Sequence, residues 1–142
     1  MTKEKELTEI ERKQAYLKSY ESSIRQMKRS ELRIMEMRTK KGNPCIICDG
    51  ASCTAGQSDL HGYAALLSQE ERRYMKARYL CMQRCRKILN QIERLADENE
   101  KDVLLYRYIK LHKWEDICEE MHFCWKHIHR IHTSALENFE MT

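Results

Sequence analysis

Three cysteines and one histidine near the middle of the chain have the residue types and spacing of a metal site. Cys45 and Cys48 are separated by two residues, which lets two thiolates bind one tetrahedral ion, and Cys53 and His61 could complete four ligands. A zinc ion bound there would order a long glycine-rich loop. Because the chain has one CxxC pair and not two, free thiols are the favoured interpretation of these cysteines, and a zinc site is the alternative. No cofactor other than zinc is expected.

A second group of candidates lies between residues 123 and 136, where the chain has no acidic side chain. Cationic side chains without neighbouring acids suit a helix that faces phosphates and enters a DNA groove. The residues predicted to contact DNA are Trp125, Lys126, His127, His129, Arg130 and Thr133. His132 is a third histidine at a position predicted to be exposed. The alternative is that these histidines are ordinary polar residues of a surface helix.

Three short helices are predicted between residues 98 and 142. Acidic residues open the first, where negative charge stabilises a helix N-terminus. The second runs from Trp114 to Met121 with apolar residues at helical spacing, and the third begins near Cys124. Since about three residues separate the second helix from the third, this segment is predicted to be a helix-turn-helix, with Phe123 packed between the two helices.

The rest of the chain is predicted to form a long helical hairpin. All four glycines and the only proline fall within residues 42–62, which marks a single loop between two helical segments. Residues 4–39 and 63–97 each carry an apolar stripe at helical spacing, so the two helices should pack antiparallel. The alternative use of these stripes is homodimerisation. The predicted fold is therefore all-α, with a helical hairpin in residues 1–97 and a three-helix domain in residues 98–142.

Charge is distributed unevenly between these parts. Residues 1–41 have a net charge of +5 and residues 63–97 of +4, whereas residues 98–142 have a net charge of −3. Such a basic hairpin most often has a solvated charged face. The alternative is an auxiliary contact with a nucleic-acid backbone.

The C-terminal segment resembles region four of bacterial sigma factors. The resemblance is carried by the runs Asp102–Lys110, Trp114–Cys118 and Ala135–Phe139, and it extends without gaps over residues 98–139. The whole arrangement also resembles the ArpU/RinA-like regulators of phage and prophage late genes. This resemblance implies a protein that binds promoter double-stranded DNA, activates transcription and contacts RNA polymerase.

Four positions depart from the sigma-factor pattern. Leu111 and His122 stand where the family often has glycine, and Lys113 and Cys124 stand where it has a hydroxyl cap. A non-glycine residue in a left-handed turn costs about 1–2 kcal/mol, and a missing cap costs about 1 kcal/mol. These departures are expected to lower stability without changing the fold.

Composition and motifs exclude several classes of protein. No apolar run approaches the roughly 18 residues that a membrane-spanning helix requires, and the charged start of the chain does not resemble a signal peptide. A cytoplasmic protein is therefore expected. No phosphate-binding glycine loop, GxSxG or HExxH motif is present, so an enzyme is not expected. The competing function is a helical adaptor that binds RNA polymerase or another partner without recognising a DNA sequence.

Overall fold

The computed structural model describes the backbone of residues 2–42 and 57–142 and the side chains of residues 8–39 and 61–142. All regular structure in these residues is helical, which confirms the all-α fold. None of the helices described is both long enough and apolar enough to cross a membrane. The elements are α1 (Thr2–Gly42), α2 (Gln57–Glu93), α3 (Glu98–Leu104), a π-helical segment (Leu105–Ile109), α4 (Trp114–Met121) and α5 (Trp125–Asn138).

The loop predicted over residues 42–62 is wrong at its C-terminal end, because α2 already begins at Gln57. His61 and Gly62 consequently lie in this helix. Gly62 fits there because a helix tolerates a single glycine at a cost of about 1 kcal/mol. At its other end α2 stops at Glu93, and Asp97 accepts a 3.0 Å hydrogen bond from the Asn99 amide to cap α3.

The chain divides into two compact units. The terminal unit comprises the chain up to Ser23 and from Cys81 to Thr142, and the middle unit comprises Ile24–Leu80. The predicted division at residue 97 remains a prediction.

In the terminal unit, the start of α1 packs antiparallel to the end of α2. Tyr16 donates a 2.7 Å hydrogen bond to the Gln91 amide oxygen, and Arg84 donates one of 2.6 Å to the Ser23 hydroxyl. The residue further along α1 is therefore bonded to the residue that comes earlier on α2, which is the antiparallel order predicted for the hairpin.

The helical hairpin and the C-terminal helices of the terminal unit share one hydrophobic core. Lys13 of α1 also donates a 3.0 Å hydrogen bond to the Glu137 carbonyl near the end of α5. The shared core and this hydrogen bond together fix the C-terminal half of α5 against α1. The buried members of this core are Leu17, Ile88, Ile92, Leu95, Leu104, Tyr108, Ala135, Leu136 and Phe139.

A second, smaller core holds α3, α4 and α5 together. Its buried members are Val103, Ile117, Ile128 and Ile131. Phe123 packs against them from the turn between α4 and α5, as predicted. This core leaves the opposite face of α5 to solvent.

The middle unit has the same antiparallel pairing but very little core. Tyr63 donates a 2.8 Å hydrogen bond to the Met37 carbonyl, and Arg33, which precedes Met37 on α1, lies 4.0 Å from Glu70, which follows Tyr63 on α2. Among its side chains that the structure describes, only Ser30 and Ile34 are buried. Several of its large apolar side chains are exposed, namely Leu32, Met35, Leu66, Met75, Tyr79 and Leu80. The predicted use of an apolar stripe in homodimerisation remains a prediction.

Candidate nucleic-acid interface

The turn between α4 and α5 has the three residues that the sequence predicts. His122 follows α4 in a left-handed conformation, with φ 57° and ψ 36°, and the Phe123 amide donates a 3.2 Å hydrogen bond to the Cys118 carbonyl. Cys124 is the extended N-cap residue of α5, and its side chain makes no capping hydrogen bond. Two of the four departures from the sigma-factor pattern therefore stand at conformationally special positions.

The other two departures lie just before α4. Leu111 is also left-handed, with φ 56°, and Lys113 is an N-cap residue without a side-chain hydrogen bond. Arg107 stabilises this connection, since it donates a 3.0 Å hydrogen bond to the His112 carbonyl and lies 4.6 Å from the centre of the Trp114 ring. The start of α4 is thus held by a side chain of the π-helical segment.

The outward face of α5 carries Lys126, Arg130 and Thr133, all exposed. Positions three and four apart share one face of a helix, so these side chains form one stripe opposite the buried Ile128 and Ile131. The Thr133 hydroxyl donates to the His129 carbonyl at 3.0 Å. Two cations and a hydroxyl therefore project from α5 on the side that is not packed.

Trp125 lies beside this stripe, with 49% of its surface exposed. Its ring is 4.6 Å from the His129 ring, which is in turn 4.5 Å from the Trp114 ring. His129 is half-buried between the two tryptophans, and its Nε2 atom has no hydrogen-bond partner among the described residues. His129 therefore packs between the two rings and helps to orient Trp125, and it does not project fully into solvent.

His127 occupies the other flank of α5. Its ring meets the Phe123 ring edge-on, with the centroids 4.7 Å apart, and the side chain is half-buried. Of the six predicted DNA contacts, Trp125, Lys126, Arg130 and Thr133 are exposed, whereas His127 and His129 are partly covered by aromatic rings.

The prediction that His132 is exposed is wrong. This side chain is buried, with Nε2 2.8 Å from the Tyr108 hydroxyl and its ring edge-on to Trp114. Burial, and to a lesser degree the charges of His129 and Arg107, lower the pKa of His132 to about 4. His132 is consequently neutral near pH 7 and adds no charge to the outward face of α5.

Glu100 is a structural residue of this domain that the sequence did not reveal. Although it lies in the first turn of α3, it is buried and accepts hydrogen bonds from Ser134 at 2.6 Å and from Asn138 at 3.1 Å. These bonds join α3 to the C-terminal half of α5. A first-turn acid is an ordinary helix-start signal, so its sequence pattern carries no sign of this role.

A different surface, formed by α4 and the residues that flank it, is acidic. An open pocket of about 490 Å³ is lined by His112, Asp116, Glu119, Glu120 and His122. In the part of the chain that the structure describes, no three His, Cys, Asp or Glu side chains are arranged to hold a metal ion. This pocket therefore offers negative charge without a metal-binding geometry.

The predicted zinc ligands Cys45, Cys48 and Cys53 lie outside the described residues, while His61 is exposed on α2. The zinc site remains a prediction. Measuring the zinc content of the protein before and after Cys45→Ser with Cys48→Ser tests it.

Comparison of the chain with protein-family models, with curated proteins and with solved structures finds no match.

Proposed function

We propose that this protein is a sequence-specific DNA-binding regulator of transcription and that α5 is its recognition helix. The observation that carries the proposal is the outward face of α5, where Lys126 and Arg130 project without an acidic neighbour on the same exposed stripe before Glu137. In a helix-turn-helix protein, the N-terminal residues of the second helix contact base edges in the major groove. Lys126 and Arg130 occupy the first two turns of α5.

The chemistry of these side chains fits direct readout of bases. An arginine guanidinium can donate two hydrogen bonds to guanine O6 and N7, and lysine donates to the same atoms. Trp125 offers apolar contact with a thymine methyl group or a sugar, and the Thr133 hydroxyl can donate to a phosphate oxygen when it rotates away from the His129 carbonyl. We assign base recognition to Lys126 and Arg130 and supporting contacts to Trp125 and Thr133.

The regulatory part of the proposal rests on the resemblance to sigma-factor region four and to ArpU/RinA-like phage regulators. A protein of this type would bind a promoter, activate phage or prophage genes and contact RNA polymerase. Residues 98–142 have a net charge of −3 even with Lys126 and Arg130 included. This negative charge is compatible with a partner protein whose surface is basic.

In vitro selection from a random duplex library tests sequence recognition. The proposal predicts that the full chain enriches a defined motif and binds it more tightly than a scrambled duplex of equal length. Genomic footprinting in the host then tests regulation, because it places the motif relative to promoters. Enrichment of no motif over repeated rounds of selection contradicts the proposal.

The alternative function is a helical adaptor that binds a protein partner without reading DNA. The acidic pocket beside α4, lined in part by Asp116, Glu119 and Glu120, favours this alternative because it suits a basic protein surface. Retention of purified RNA polymerase that is lost in Asp116→Asn with Glu120→Gln, together with no enriched DNA motif, would support it.

A further inference from the structure

The middle unit contains an open groove whose walls are cationic. The groove lies along one face of the packed α1 and α2 segments and has a volume of about 650 Å³. None of the acidic side chains that the structure describes lines it. The charged residues that line it are Arg29 and Arg33 from α1 and Arg73 and Lys76 from α2.

One carboxylate, that of Glu70, lies close to two of these cations. Glu70 lies 3.0 Å from a guanidinium nitrogen of Arg73 and 4.0 Å from one of Arg33, and only 16% of its side chain is exposed. Among the described side chains, Arg29 and Lys76 have no carboxylate within ion-pair distance. Even when Glu70 is counted with the four cations, the groove keeps three uncompensated positive charges.

We propose that this groove binds the sugar-phosphate backbone of duplex DNA. Residues three or four apart on a helix face are neighbours, so each helix presents two adjacent cations, Arg29 with Arg33 and Arg73 with Lys76. Such rows can neutralise several phosphates of one strand, and guanidinium groups bind phosphate oxygens through two parallel hydrogen bonds. The Gln26 amide, also in the lining, adds a neutral donor.

The described residues that line the groove include no aromatic ring, which favours a duplex over a single strand as the ligand. Proteins that bind single-stranded nucleic acid stack the bases on aromatic side chains, whereas the uncharged part of this lining consists of Gln26, Ser30, Ala77 and Leu80. A duplex presents its backbone with the bases stacked inside, so it requires cations and no stacking surface. The open form of the groove and its four separate cations also suit a polyanion better than one small anion.

This inference rests on the proposed function, since it adds a second contact with the same class of ligand. Contacts with phosphates strengthen binding to every sequence and make it salt-dependent, whereas contacts with bases set the preference among sequences. The groove should therefore contribute affinity, and α5 should contribute discrimination.

The test compares Arg29→Ala with Lys76→Ala against a matched control, Lys28→Ala with Arg72→Ala, in the full chain. The control removes the same charge from exposed positions of the middle unit that do not line the groove. Fluorescence anisotropy with a mixed-sequence duplex at several salt concentrations gives the slope of log K against log salt. Each phosphate contact contributes about 0.9 to this slope, so the groove variant should reduce its magnitude by about 2 and the control should leave it unchanged.

Three results overturn the groove proposal. One is an equal effect of both double variants, which assigns the contribution to overall charge, and another is no effect of the groove variant. Tighter binding of polyglutamate than of the duplex, lost in the groove variant, likewise overturns it in favour of an acidic peptide. Failure of the proposed function can be distinguished from failure of the groove proposal. In that case the protein binds mixed-sequence duplex through the groove but enriches no motif in the selection.

Discussion

The hydroxyl of Tyr108 lies 2.8 Å from Nε2 of His132, and both side chains are buried where the π-helical segment meets α5. Their rings also stack, with centroids 5.8 Å apart. Burial among apolar groups, and to a lesser degree the charges of His129 and Arg107, lower the pKa of His132 and so disfavour its protonation. The pair therefore links the stability of the candidate DNA-binding domain to pH.

Acidification should destabilise the protein through His132. The folded-state pKa of about 4 is below the ordinary value of 6.5, so between these values the unfolded chain binds more protons and stability falls as pH falls. From pH 7 to pH 5 the loss is about 2 kcal/mol. Urea unfolding of the wild type and of His132→Gln at both pH values measures it. Glutamine can still accept from Tyr108 and does not titrate, so an equally steep pH dependence in this variant contradicts the assignment.

Replacing Glu100 should destabilise the protein substantially. Glu100→Ala removes the acceptor for Ser134 and Asn138, and loss of hydrogen bonds to a buried charged group costs on the order of 2–4 kcal/mol. Glu98→Ala is the control, because that carboxylate is 80% exposed and a surface ion pair such as the one it forms with Lys101 contributes little to stability. Similar losses in both variants on denaturant unfolding would contradict the role given to Glu100.

A glycine after α4 should stabilise the fold. His122 has φ 57°, a conformation that costs a non-glycine residue about 1–2 kcal/mol, and part of the gain is offset by the greater freedom of glycine in the unfolded chain. His122→Gly is therefore expected to raise the free energy of unfolding by about 0.5–1 kcal/mol. Glu119→Gly, an exposed position within α4, should instead lower it by about 1 kcal/mol. A stability loss in His122→Gly would show that its side chain has a role of its own.

A hydroxyl at the N-cap of α5 should also stabilise the protein. Cys124 already has the extended backbone of an N-cap residue but makes no side-chain capping bond. Cys124→Ser supplies an oxygen that can accept from an amide in the first turn, which is worth about 1 kcal/mol. Cys124→Ala is the control and should leave stability unchanged, and thermal unfolding distinguishes the two. Equal melting temperatures for the serine and alanine variants contradict this prediction.

The sequence predicted the elements of this domain more accurately than the environments of its side chains. The helical period and the short turn gave both α4 and the start of α5 to within a residue, because amphipathic spacing and punctuation are local signals. His132 was mispredicted because the pattern does not show which flank of α5 the neighbouring Trp114 covers. Glu100 was missed for the same reason, since its partners are 34 and 38 residues away.

In the long helices, glycine was a misleading signal, because it marks loops but is also tolerated singly within a helix. The glycines that predicted a loop over residues 42–62 include Gly62, which α2 accommodates. The basic residues of the hairpin predicted its net positive charge but not where on the surface that charge is concentrated. The position of the groove depends on how the two helices pair, which the sequence does not show. Glu70, which fixes Arg73 at the groove, is recognisable only from their 3.0 Å contact.

If the outward face of α5 recognises bases, its cations must set the ratio between the affinities for the selected motif and for an unrelated sequence. The measurement is the Kd of Lys126→Ala with Arg130→Ala for the selected motif and for a scrambled duplex, beside the same pair of values for the wild type and for Lys28→Ala with Arg72→Ala. We expect the wild type and the control to prefer the motif. The α5 variant should lose about 1–3 kcal/mol of that preference per side chain removed. An α5 variant that keeps the full wild-type preference would contradict base recognition by α5.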